Sequence, residues 1–413
     1  MNIALIRLRH LAFKLIVRTI SFPEPEELVG NGLSSDVYKL ISKKNYRKPL
    51  IVTDKMLIKM NIIDGLIESL RVNKIDYVVF NGVQPNPTIG NIEDGVKFYK
   101  ENNCDSIIAF GGGSSIDCAK VIAARITNKK DVYQMKGLFK IRKKLPYLVA
   151  IPTTAGTGSE VTVAAVITNE KSHEKFAIND TKLIPAAYCL DPELLAGLPN
   201  TLTASTGMDA LTHAIEAYIG WNGTAYTDKY AIDAIKIIFE SLQKSFEDGK
   251  NLTLRREMLL ASNYAGRAFT RASIGYVHAI AHNLGGLYNL PHGLANAIVL
   301  PYILEASKDK AYKKLATLAR ETGVVEGKHS DKDQADVFIG RIRHMNMIMG
   351  IPQNIPEIRD RDIPYLAERV EKEGNPAYPV PKILYRKDIE NILRIIRGDA
   401  SENQGLPTTF HKS

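Results

Sequence analysis

Cysteine is scarce in this chain: three in 413 residues, Cys104, Cys118 and Cys189, widely spaced and with no CxxC pair. An odd, scattered set excludes a disulfide framework and a zinc ribbon, and fits reduced thiols in a cytoplasm. Internal repeats and low-complexity tracts are also missing. The net charge of +9 hints at nucleic acid, but the basic residues are scattered among acidic ones, as in EKEG and RDRD. No basic stripe interleaved with aromatics exists, which argues against a nucleic-acid partner. Acidic residues are absent from the first 23 positions, whereas Arg7, Arg9, Lys14 and Arg18 all fall there.

That acid-free segment, MNIALIRLRHLAFKLIVRTI, places Leu5, Leu8, Leu11, Leu15 and Ile16 on one face at helical spacing, with Arg7, Lys14 and Arg18 on the other. Its charges recur too often for a membrane span or for the apolar core of a secretory signal. The expectation is an amphipathic helix packed on the domain or on a partner subunit. Peripheral membrane contact and a transit segment are the alternatives.

What the chain does have is a change of texture. PLIVT (49–53), DYVVF (76–80), SIIAF (106–110) and YLVAI (147–151) are near-continuous apolar runs, as strands buried on both faces require. Helix-period patterns at 91–103 and 115–127 lie between them, so βαβ units and a parallel sheet are predicted. Beyond about residue 197 the patterns are helical: 203–219, 226–246, 252–272, 293–307 and 309–323, then shorter ones to about 397. The division expected is a segment at 1–21, a Rossmann-like α/β dinucleotide-binding domain at 22–196 and an all-α domain at 197–413.

SIIAF runs straight into GGGSSIDCAK. Glycines allow a tight turn and a close backbone approach, Ser114 or Ser115 can cap the following helix, and its free amides suit a pyrophosphate. The match to GxGxxG is incomplete. An acidic residue at a strand end comes earlier, at Asp54, where a carboxylate can accept from ribose hydroxyls and would repel a 2′-phosphate. A second glycine-rich turn, IPTTAGTGSE (151–160), follows the fourth strand and offers Thr153, Thr154, Thr157 and Ser159.

Nine histidines occur in all, and three of them fall in HAIAHNLGGLYNLPHG. His278 and His282 are i, i+4; so are Asp209 and His213 in GMDALTHAIEAY; His292 follows a proline at the start of a further helix. One carboxylate with several imidazoles suits a divalent metal such as Fe²⁺ or Zn²⁺. Spacing alone does not choose which three of the four histidines bind. HAIAH lacks the glutamate of HExxH, so a metalloprotease is not indicated.

GGGSSID, IPTTAGTGSE, GMDALTHAIEAY and HAIAHNLGGLYNLPHG, in this order, resemble the iron-containing (group III) alcohol dehydrogenases over residues 22–400. The resemblance implies metal and cofactor in a cleft between the domains, with Asp209, His213, His278 and His292 as ligands of one divalent metal, usually iron. It implies that His282 lies beside nicotinamide and substrate, and that Phe269 lines the substrate pocket. NAD contacts are implied at Asp54, Asn86, Gly112, Gly113, Ser114, Asp117, Thr153, Thr154, Thr162 and Lys175, with Asp54 favouring NAD over NADP. The implied reaction is hydride transfer between a primary alcohol or diol and NAD, with His282 ending the proton path, in a cytoplasmic homodimer or higher homo-oligomer. Relatives of the same fold that act on glycerol or eliminate phosphate are one rival. A non-catalytic assembly protein on this scaffold is the other.

Overall fold

In the computed structural model, which describes residues 3–172 and 174–399, the chain opens with a helix, α1 (Ile3–Thr19), and a short strand, β1 (Glu26–Val29). Helix α2 (Val37–Lys43) leads into β2 (Pro49–Asp54), and α3 (Lys55–Lys59) and α4 (Asp64–Val72) carry the chain to β3 (Val78–Val83). The alternation continues with α5 (Ile89–Glu101), β4 (Ser106–Gly111) and α6 (Gly113–Thr127). Then come β5 (Gly137–Leu138), β6 (Tyr147–Pro152), β7 (Ala164–Asn169), β8 (Glu174–Asn179) and β9 (Ala187–Leu190).

Six strands form one sheet in the order β1-β9-β6-β4-β2-β3, and every neighbouring pair is parallel. The period of two sorts its side chains into two cores. Leu50, Val52, Ile107, Ala109 and Leu148 pack beneath α5 and α6, while Ile51, Ile108, Phe110 and Val149 meet Val37 and Ile41 of α2 and Leu66 and Leu70 of α4. Each buried Val, Leu, Ile or Phe among them contributes about 1.5–3 kcal/mol.

Two strands of this sheet and a separate small sheet were not expected. β1 reads EELV and sits half-buried at the sheet edge, so it carries no apolar run. β7 and β8 pair antiparallel and, with β5, make a three-stranded sheet outside the main one.

From Asn200 onward the chain is helical: α7 (Asn200–Ile219), α8 (Ala225–Glu247), α9 (Leu252–Ala272), α10 (Tyr276–Tyr288), α11 (His292–Glu321), α12 (Asp331–Ile348), α13 (Ile363–Gly374) and α14 (Arg386–Arg397). The two helices expected at 293–307 and 309–323 are one helix of 30 residues that runs through Pro301. Within the polar ASKDK stretch only Asp309 and Lys310 face solvent, and Ser307, Ala311 and Leu315 keep the buried spacing across it.

Helix α1 does pack on the body, but by the opposite side from the one expected. Ile6 and His10 are buried, whereas Leu5, Leu8, Leu11, Leu15 and Ile16 are exposed. The cause is polar: Arg7 donates to the carbonyls of Val380 and Pro381 at 2.6 and 2.7 Å, and Lys14 to that of Trp221 at 2.7 Å. Charge-assisted bonds to otherwise unpaired carbonyls outweigh the leucine stripe. Among the described residues no helix is long and apolar enough to cross a membrane.

Candidate active site

The strand order reverses between β2 and β4, so a crevice opens at their carboxyl ends. Asp54 closes β2, Gly112 and Gly113 follow β4, and Thr153 and Thr154 follow β6. Every residue named from the sequence as a cofactor, metal or pocket residue lines one cleft there, of about 2220 Å³. Its far wall is the helical half.

The two glycine turns behave differently from a capped helix start. Gly112 is the N-cap of α6 and no side chain caps it, so neither Ser114 nor Ser115 plays the part expected. The amides of Gly113 and Ser114 are thereby left without partners among the described residues. A Cβ on Gly113 would stand 2.7 Å from Thr157, so only glycine lets the two turns approach. In the second turn Gly158 has φ +58° and packs its backbone on α9, where a Cβ would meet the Ser262 carbonyl at 2.7 Å. That contact ties the sheet half to the helical half.

Several cofactor-side residues already hold one another. Lys175 donates to Asn86 at 2.8 Å across 89 residues of chain, and burial lowers its pKa. Asp117 accepts from Ser159 at 2.6 Å and from the Val166 amide at 2.9 Å; burial raises its pKa. Thr162 is engaged by the fully buried Lys120, whose ammonium reaches the Thr162 carbonyl and hydroxyl and the Ala164 carbonyl at 2.9–3.0 Å. Burial lowers Lys120 to about 8. Asp54 uses one oxygen to cap α3, accepting from the amides of Met56 and Leu57 at 2.8 and 3.0 Å.

On the helical wall, α7 supplies Asp209 and His213, α10 supplies His278 and His282, and α11 begins at His292. Ligand-type atoms of Asp209, His278 and His292 lie within 4.8 Å of one another. Asp209 Oδ1 is 3.7 Å from His278 Nε2, 3.6 Å from His292 Nε2 and 3.9 Å from His213 Nδ1. His213 falls outside the mutual set of three; its ring stacks between Phe269 at 4.2 Å and His278 at 4.3 Å. His278 Nε2 and His213 Nδ1 are buried without a hydrogen-bond partner.

The electrostatics converge on positive charge. Burial opposes ionisation of Asp209, but His213, His292 and His278 hold it well below the usual carboxylate range. Burial works against protonated His278, yet Asp209 and Glu216 raise it to about 9. Burial lowers His213 to about 3 and leaves His292 well below its ordinary value. A buried carboxylate beside the neutral imidazoles of His213 and His292, with His278 held in its charged form until a cation takes the proton's place at Nε2, is a donor set that fits a divalent cation.

The comparisons decide the family. The sequence pattern described as iron-containing alcohol dehydrogenase matches residues 25–192, and that of the Fe-containing alcohol dehydrogenase family, C-terminal, matches residues 203–396. The chain belongs to the iron-containing alcohol dehydrogenase family. Among curated relatives, the 1,3-propanediol dehydrogenase of Citrobacter freundii is 41% identical over 386 residues, covering 92% of this chain and 98% of its own. Alcohol dehydrogenase 4 of Saccharomyces cerevisiae is 38% identical, covering 83% and 90%. A crystal structure of a 1,3-propanediol oxidoreductase superposes with a TM-score of 0.89 at 39% identity, covering 92% of this chain and all of its own.

Around the histidines of this iron-containing alcohol dehydrogenase, sequence reasoning missed two carboxylates. Glu216 lies three residues after His213 on α7 and contacts His278 Nδ1 at 2.6 Å. Glu373, at the end of α13, contacts His282 Nδ1 at 2.6 Å and accepts from Tyr378 at 2.9 Å and Asn283 at 3.0 Å. Glu216 had a signal, because THAIE puts it one turn from His213. Glu373 had none: EKEG reads as a solvated charge run. Asn296, one turn into α11, was missed too; its amide donates to Asp209 at 2.6 Å.

Proposed function

We propose that the protein interconverts a primary alcohol or diol and its aldehyde with NAD, at one divalent metal, iron or zinc. The observation that carries this is the set of Asp209, His278 and His292 within 4.8 Å, in the same cleft as the uncapped start of α6. We assign Asp209, His213, His278 and His292 as the residues that would hold the metal. When bound there, the cation supplies Lewis acidity that lowers the pKa of a substrate hydroxyl or polarises an aldehyde carbonyl. Glu216 fixes His278 through Nδ1 and so aims Nε2 at the site. The free amides of Gly113 and Ser114 and the dipole of α6 suit the pyrophosphate of NAD, with Asp54, Asn86, Gly112, Asp117, Thr153, Thr154, Thr162 and Lys175 around it. Glu373 holds His282 Nδ1, which leaves Nε2 to exchange a proton on the cleft side. Phe269 stacks on His213 and walls the substrate end.

The proposal extends to a boundary near residue 197, a homodimer or higher homo-oligomer, and a cytoplasmic setting, the last supported by the three free thiols. Turnover of primary alcohols, diols and aldehydes with NAD⁺ and NADH, with metal content measured in parallel, tests the chemistry. We expect activity that a chelator removes and Fe²⁺ or Zn²⁺ restores; no turnover of any member by metal-loaded protein would refute it. Asp54→Gly should relax the preference for NAD over NADP. Wild-type protein using both equally would refute the role given to Asp54.

A further inference from the structure

Helix α1 turns outward the side chains that an amphipathic helix ordinarily hides. Leu5, Leu8, Leu11, Leu15 and Ile16 are 45, 61, 52, 55 and 54% exposed. At 100° per residue, Leu5, Leu8, Ala12, Leu15 and Ile16 share about a third of the helix circumference, and the stripe runs about 17 Å along the axis. Arg9 borders it on one side; Leu11 and Arg18 border it on the other. Both arginines lack hydrogen-bond and ion-pair partners among the described residues, while Arg7 and Lys14 are spent on backbone carbonyls. No acidic residue occurs before Glu24. The helix also lies outside the family's matched segments, which begin at residue 25, so the shared fold does not require this face.

We propose that the outer face of α1 seats the protein on the headgroup layer of an anionic bilayer. A leucine ridge flanked by unpaired arginines fits that layer, because acyl chains receive the apolar stripe and lipid phosphates supply the missing counter-charge. A second copy of the chain fits less well. A two-fold pairing of α1 helices would set Arg9 and Arg18 against the same residues, with no carboxylate on the helix to neutralise them. The contact is peripheral and reversible: it has one short apolar stripe and two free charges, and adding salt weakens it.

Full-length protein is sedimented with vesicles of phosphatidylcholine alone and of phosphatidylcholine with phosphatidylglycerol. Wild type should partition to the anionic vesicles, stay in solution with the neutral ones, and be released by salt. Leu8→Glu/Leu15→Glu should lower the partition by roughly tenfold or more, with solution mass and melting temperature unchanged. Arg18→Glu, which leaves the docked side of α1 untouched, should lower it several-fold and serves if the double variant fails to fold. Wild type remaining in solution with both vesicles overturns the proposal. A fall in solution mass of Leu8→Glu/Leu15→Glu also overturns it, and marks the face as a contact between copies.

Discussion

His278 and His282 stand one turn apart on α10, and each has its Nδ1 on a carboxylate at 2.6 Å, but the two carboxylates live in different surroundings. Glu216 is 3% exposed and accepts further from the amides of Gly275 and Val277 at 2.8 Å each, so it is held by backbone. Glu373 is 29% exposed, at the cleft wall, and its other partners are the side chains of Tyr378 and Asn283. Burial disfavours the Glu373 carboxylate, but His282, Tyr378 and Asn283 bring its pKa below the ordinary value. His278, the proposed metal ligand, is thus braced through main chain, and His282, the proposed proton carrier, through side chains.

Substitutions at the two histidines and at their carboxylates separate the two roles. His278→Ala should have the largest effect: metal content and turnover fall together, turnover by about 10³-fold or more, because several kcal/mol of charge stabilisation go with the cation. Metal analysis beside the rate checks it, and retained metal would reverse the two histidines' roles. Next is His282→Ala, for which we expect full metal content and a kcat lower by about 10²-fold, the lower part of the range for a positioned acid or base. A change confined to KM would reduce His282 to a wall of the pocket. Glu216→Gln should weaken metal affinity by about 10–100-fold, as expected for a residue that orients a ligand, while chemistry at saturating metal is nearly normal. A competition titration with a chelator measures this. Glu373→Gln should be mildest, lowering kcat less than about tenfold with metal affinity unchanged, since the amide oxygen can still accept from His282. If Glu373→Gln instead loses metal, the separation of the two carboxylates fails.

What could be read from the chain alone follows the same physical line. β2, β4 and β6 are buried on both faces and announce themselves as unbroken apolar runs, but β1 is a half-polar edge strand and leaves no such trace. Asp209, His213, His278 and His282 are legible because i, i+4 pairs on a helix converge without help from the rest of the fold. Glu373 reaches His282 only because α13 packs against α10 across 91 residues of sequence, and no local pattern encodes that. The orientation of α1 was misread for a related reason. The carbonyls that capture Arg7 and Lys14 belong to residues 221, 380 and 381, between 207 and 374 residues away in the sequence.

Glu216 joins two things that are usually separate. Helix α10 starts at Gly275 with no side-chain cap of its own, and the Glu216 carboxylate takes up the amides there as well as the ring of His278. Opening the first turn of α10 therefore releases a metal-site imidazole, and any ion held by Nε2 resists that opening by its own binding free energy. Amide hydrogens around residues 275–280 become a gauge of metal occupancy. They should exchange slowly in loaded protein and faster after chelation.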